Sequence, residues 1–200
     1  MRWRINRSRG EAILVGGQAL MVVALAVCVG LHPGLVLKRN ESGLSNYGVH
    51  LRTVIPYSIA LLAAGGSCLC VAASDFPLPR RNRVILLVYG LCTCAVLLST
   101  YPYLVNHVWH AIHVGCGILL MVWEFFTAWW LTVRSRWRQR WIWQLGQSAG
   151  SVLALVTLTG QLHVLFVAQV MTGSCWGVAM IGNVTAKRSD HQPVASAPLG

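Results

Sequence analysis

Three histidines at three-residue spacing, His107, His110 and His113, form the densest set of chemically capable side chains in this chain. His32, His50 and His163 stand at the same ends of the apolar blocks, so six of the seven histidines gather toward one side. Imidazole is both a metal ligand and a base that titrates near neutral pH. On a helix a three-residue step rotates each side chain back by about 60°, which sets His107 and His113 about 120° apart. One ion can take two of these, with His50 or His163 as the third ligand of an open, catalytic zinc geometry. Haem is the other cofactor such imidazoles hold. The competing reading has interfacial histidines bonding to lipid headgroups and loop carbonyls. It is preferred, because the spacing spreads the imidazoles and the nearest carboxylate support is Glu41.

Glu124 is the one acidic residue well inside an apolar block, and ionisable groups within a bilayer are rare and functional suspects by default. It follows His113 by eleven residues, so the two share a helix face. They lie about 16 Å apart along the axis and cannot bind one ion. With Asn106 and Gln169, Glu124 can line a polar path; its bland reading is a protonated or hydrogen-bonded structural carboxyl. The third polar concentration is the loop 38–52, which carries Glu41, Ser45, Asn46, Tyr47, His50 and Arg52 as candidate ligand-binding residues. It is either a solvated connector or a cover folded down over a bundle mouth, since functional residues concentrate on loops held by rigid scaffolds. Asn40-Glu41-Ser42 also matches the N-glycosylation sequon.

Hydropathy dictates the elements that must hold these groups. The 200-residue chain is 56% hydrophobic and 10% charged. Its apolar blocks are roughly twenty residues long, the length that carries a helix across a bilayer core. Breakers and charges bound them at Ala12 to Leu31, Thr53 to Ala73, Val84 to Tyr101 and Asn106 to Val133. A longer final stretch divides into Gln144 to Thr159 and His163 to Ile181 at the turn Gly160-Gln161. The expected fold is an all-α, six-span membrane bundle over 12–184, with a basic N-terminal segment 1–11 and a flexible tail 185–200. The first block resembles a signal peptide but lacks a small-residue exit, so it reads as an uncleaved first helix.

Thirteen of the 16 basic residues fall in the N-terminus, the second and fourth connections and the tail: Arg2, Arg4, Arg7, Arg9, Arg80, Arg81, Arg83, Arg134, Arg136, Arg138, Arg140, Lys187 and Arg188. Short basic loops stay in the cytoplasm. Both termini are therefore expected inside a plasma membrane, with the histidines and loop 38–52 outside. This topology and anionic headgroups explain the net charge of +11. Nucleic acid is excluded as a partner, because aromatics interleaved with base-reading polar residues are missing. Membrane lipids are the expected partners, and the sequence leaves room for self-association or a membrane-protein partner.

The seven cysteines read as buried thiols, with Cys28 and Cys116 near enough in depth to meet. Ala111 with Gly115, Gly146 with Gly150, Gly173 with Gly177, and the run Ala63-Ala64-Gly65-Gly66-Ser67 offer close helix contacts. Trp109 and the group Trp129, Trp130, Trp137, Trp141 and Trp143 suit interfacial belts.

His32-Pro33-Gly34, Arg39-Asn40 and Ser45-Asn46-Tyr47-Gly48 together resemble the first helix end and first loop of a bacterial membrane family, domain-of-unknown-function family nine-nine-eight. More distantly the chain looks like the DRAM/Frag/Sfk group of six-helix proteins, with their Ser-x-x-Gly outer loop and histidine-bearing fourth helix. An acidic residue often expected after the serine is Asn46 here. The resemblance implies a six-helix fold, an important outer loop and a loose link to lipids. No Walker loop, Gly-x-Ser-x-Gly elbow or His-Glu-x-x-His motif is present. The expected function is non-catalytic binding or organisation of a lipid or small molecule at the outer mouth. Its rivals are a metal-dependent intramembrane hydrolase built on the histidines and a small-solute transporter.

Overall fold

The computed structural model describes residues 6–38, 43–134, 139–160 and 162–186. Helix α1 spans Arg7–Leu31, and the short helices α2 and α3 span Gly34–Lys38 and Ser45–Val49. The long helices α4 (Val54–Ala73), α5 (Arg80–Thr100), α6 (His107–Arg134), α7 (Arg140–Leu158) and α8 (Leu165–Ala186) follow. Five of these, α1, α4, α5, α6 and α8, are long and apolar enough to cross a membrane, and the chain is a multi-pass helical membrane protein.

Several helices start before their apolar blocks do. α1 begins at Arg7, not Ala12, because Asn6 accepts a hydrogen bond from the Arg9 amide and caps the helix ahead of the basic residues. α5 begins at Arg80 directly after Pro79, and α7 at Arg140. Arginine is a good helix former, so charge ends the apolar block without ending the helix. The loop 38–52 contains α3, which hydropathy alone does not disclose. The tail beyond Ala186, and Glu41 in the loop, lie outside the described residues.

Helices α1, α4, α5, α6 and α8 pack in a closed ring, and α7 lies outside it against α8 and α6. Small residues set the tightest crossings. A Cβ on Gly90 would stand 2.9 Å from the Gly65 carbonyl oxygen, so α4 and α5 touch backbone to backbone. Gly150 brings α7 equally close to Ala168 and Thr172 of α8. The expected pair Ala111 and Gly115 forms no close helix contact among the described residues: Ala111 is exposed, and Gly115 faces open space. At the centre Trp176 is fully buried, stacks on Tyr89 at 3.9 Å and donates from Nε1 to Thr127 Oγ1 at 2.9 Å.

At the arginine-bearing end the connections are bonded rather than merely charged. Arg83 donates to the carbonyls of Ala72, Ser74 and Phe76, satisfying orphan groups at the C-terminus of α4. Asn82 donates to Asn183 across α5 and α8. Arg81 and Arg134 both lie over the Trp130 ring, at 4.5 Å and 3.9 Å. All seven cysteines are free thiols. Cys70 is exposed and Cys94 and Cys116 are half-buried, so the expectation of uniformly buried thiols fails where helix faces turn to lipid. Cys28 does not pair with Cys116 and instead points its thiol at the Thr53 carbonyl, 3.7 Å away.

Candidate functional site

The helix ring borders a partly open cavity of about 420 Å³, within the range of small-molecule sites. Leu25, Leu61, Val96, Ile118, Met121 and Val170 supply apolar wall. Polar side chains also line it: Ser45, His110, His113 and Gln169 at the histidine-bearing end, Thr172 one turn further along α8, and Thr93, Tyr89 and Glu124 deeper in the bundle. The distance along α6 from His113 to Glu124 is about 16 Å. The cavity is therefore a long chamber with a mostly apolar wall and polar groups concentrated at the histidine-bearing end.

The described part of the outer loop is folded down on the bundle. Gly43 adopts φ 63, a left-handed conformation that favours glycine, and a Cβ there would collide with Gln169 Oε1. The next residue, Leu44, donates its amide to that oxygen at 2.7 Å. Ser45 then opens α3 and points into the cavity wall. Tyr47 is buried, tilts against Phe166 at 5.5 Å and donates its hydroxyl to the His32 carbonyl at 3.4 Å. Burial pushes its phenol above the ordinary tyrosine range, with Cys28 adding to the effect. Thr53 Oγ1 donates to the Tyr47 carbonyl at 2.7 Å and ties the end of α3 to the start of α4. Gly48 seats α3 against Tyr57 and Thr100, whose hydroxyls are 3.1 Å apart.

At the mouth, Ser45 Oγ lies 2.6 Å from His113 Nε2. Ser99 Oγ lies 3.0 Å from His113 Nδ1 and donates its own proton to the carbonyls of Ala95 or Val96, at 2.7 Å and 3.0 Å. In the tautomer protonated at Nδ1, Ser99 accepts from Nδ1–H while donating to one of these carbonyls, and the unprotonated Nε2 accepts from the Ser45 hydroxyl. His113 is buried and held at both nitrogens.

The other residues singled out in the sequence scatter around this pair. His110 lines the cavity from one turn away, while His107 is exposed. His50 stacks on His32 at 5.1 Å, away from His113. His163 and Arg52 are exposed, and Asn46 is half-buried beside Ser45. Among the described residues no three His, Cys, Asp or Glu side chains converge as metal ligands would. Glu124 is buried, close to Thr172 and Tyr89 and 3.8 Å from where a Gly173 Cβ would stand. Asn106, expected with Gln169 on one polar path, is exposed and caps α6 through the Val108 amide instead.

Sequence reasoning names Ser45 and His113 separately but does not pair them, since they lie 68 positions apart. It does not find Ser99, a small polar residue near a helix end with no spacing that sets it apart. Comparison with protein-family models, with curated proteins and with solved structures finds no match to this chain.

Proposed function

We propose that this protein is a six-span plasma-membrane bundle that binds an amphipathic lipid or lipid-like small molecule, with the apolar part in the cavity between the helices and the polar part at the histidine-bearing mouth. The observation that carries this reading is the cavity itself: mostly apolar in its wall, with polar groups gathered at the histidine-bearing mouth, and lined by helices long and apolar enough to cross a bilayer. A ligand entering from membrane or outer leaflet meets a wall that matches a chain and a mouth that matches a headgroup. Kinship with domain-of-unknown-function family nine-nine-eight is part of the proposal and rests on the residues around Ser45-Asn46-Tyr47-Gly48. Purified protein is expected to carry about one amphiphile per chain through detergent exchange, as read by mass spectrometry of its lipid extract. Extracts no different from those of an unrelated membrane protein would remove the support for this reading.

The sixth span is α7. Its 19 residues reach about 28 Å, close to the thickness of a bilayer core. Gln144 and Gln147 face the protein at 2% and 0% exposure, while Leu145 and Leu155 stand 71% and 64% exposed. Polar inside and apolar outside is the pattern of a helix solvated by lipid. Its modest apolarity comes from the glutamines and serines it turns toward α8 and α6.

Six crossings would put both termini on one side, and the arginines at the ends of α5, α6 and α7 support a cytoplasmic reading of that side. Single cysteines at Leu51 and Asp75, both exposed, test this in a background without the native thiols. An impermeant maleimide is expected to label Leu51→Cys and spare Asp75→Cys in intact cells. The opposite pattern would invert the orientation.

A further inference from the structure

We propose that Ser45 and His113 form a nucleophile and general-base pair that cleaves a long-chain carboxylic ester seated in the cavity. The proposal rests on the ligand-binding reading above and takes that ligand, or a fraction of it, as substrate. Three features separate this arrangement from a hydrogen bond that merely fastens a loop. The serine hydroxyl and the imidazole both line the cavity, where a ligand can reach them. The 2.6 Å approach of Ser45 Oγ to Nε2 is the nucleophile–base contact of acyl transfer. Finally, the far nitrogen is held by a third residue, Ser99, which can donate to the α5 carbonyls and accept from Nδ1–H at once. That arrangement suits the tautomer the proposal uses, with Nε2 free to take a proton.

The chemistry closes without a cofactor. Ser45 Oγ attacks the ester carbonyl carbon as His113 Nε2 takes the hydroxyl proton, giving a tetrahedral oxyanion. The bond from carbon to the alcohol oxygen breaks, and the Nε2 proton passes to the leaving alkoxide, releasing the alcohol and an acyl group on Ser45. Water then adds to that acyl carbon, gives its proton to Nε2, and the proton returns to Ser45 Oγ as the carboxylic acid departs. Gln169 is placed to steady the oxyanion. Its Oε1 accepts from the Leu44 amide next to Ser45, and its NH2 is the carboxamide's donor group on the same cavity wall. The apolar wall below the mouth selects the substrate class, an acyl ester whose chain lies along Leu25, Leu61 and Ile118.

Ser99 acts through His113 and is a positioning residue. The test uses the full-length protein in micelles and an alkyl fluorophosphonate, which phosphonylates only activated serines. Wild type is expected to gain one adduct, mapped by peptide mass to Ser45, and to hydrolyse p-nitrophenyl decanoate in preference to the acetate. His113→Gln is expected to lose both. Ser99→Ala is expected to slow labelling by about tenfold, and Ser99→Thr, which keeps the hydroxyl, to restore it. Wild type that elutes as a single folded species and carries bound amphiphile, yet gains no adduct at Ser45, overturns this inference and leaves the binding reading standing. Labelling of Ser45 that survives His113→Gln overturns it equally. Wild type whose lipid extract carries no bound amphiphile would instead strike the binding reading, so the extract and the adduct, both read on the wild-type protein, keep the two apart.

Discussion

Trp176→Ala is expected to cost about 3–5 kcal/mol of folding stability, the largest effect of any single truncation in the bundle. Trp176 is fully buried, and its ring lies face to face with Tyr89 at 11°. It bridges three helices, stacking on α5, bonding to Thr127 of α6 and packing from α8 against the core that includes Met21 and Leu25 of α1. Lipid tails solvate apolar side chains as well as a protein core does, so association within a membrane depends on fit. Removing the indole leaves a void that α5 and α8 cannot close, because Gly65 and Gly90 already hold α4 and α5 at backbone contact. The hydrogen bond contributes less: Thr127 Oγ1 also donates to the Trp123 carbonyl, so the hydroxyl stays satisfied without Trp176. Trp176→Phe, which keeps a ring on Tyr89, is expected to lose only about 1 kcal/mol. Denaturation in mixed micelles, followed by near-ultraviolet circular dichroism, separates the two variants. Equal stability of Trp176→Ala and wild type would mean that the centre of the bundle is packed otherwise.

Much of the scaffold is legible in the sequence because a bilayer permits so few solutions. Backbone groups in hydrocarbon must be paired internally, so a block such as Val54 to Ala73 has no alternative to a helix. Prolines at 77, 79 and 102 mark real breaks. Helix partners are another matter. Gly146 and Gly150 do meet α8, whereas Ala111 and Gly115, with the same spacing, face outward. A small-residue pair reports that close approach is allowed and says nothing of which helix makes it.

The site was half legible, for a similar reason. Helical spacing orders residues on one helix, so His113 and Glu124 read as sharing a face and lying too far apart to share an ion. Both line the cavity. Contacts between helices follow from packing rather than from local pattern. The partners of His113 come from α3 and α5, and the loop that delivers Ser45 is held by Gln169, 125 residues away from Leu44. The histidine triplet points to the end of the molecule where Ser45 and Ser99 meet His113, but its spacing does not disclose those partners. His107 and His110 belong to the same helix as His113, but its ring nitrogens are taken by two serines.

The central claim, that the chamber between the helices is a binding site, is tested most directly by filling it from a position that tolerates filling. Gly117 lines the cavity, and a Cβ there would meet nothing within 4 Å. Gly117→Phe therefore puts a ring into empty space, and exchanging glycine for phenylalanine inside α6 favours the helix slightly. Stability is expected to hold or rise. Native mass spectrometry of wild type and Gly117→Phe, released from identical micelles, is expected to show the amphiphile-bound peak of wild type reduced about tenfold or more in the variant, equivalent to at least about 1.4 kcal/mol of binding. The same bound fraction in a folded Gly117→Phe protein would contradict the claim, because a ligand indifferent to a filled chamber is held somewhere else.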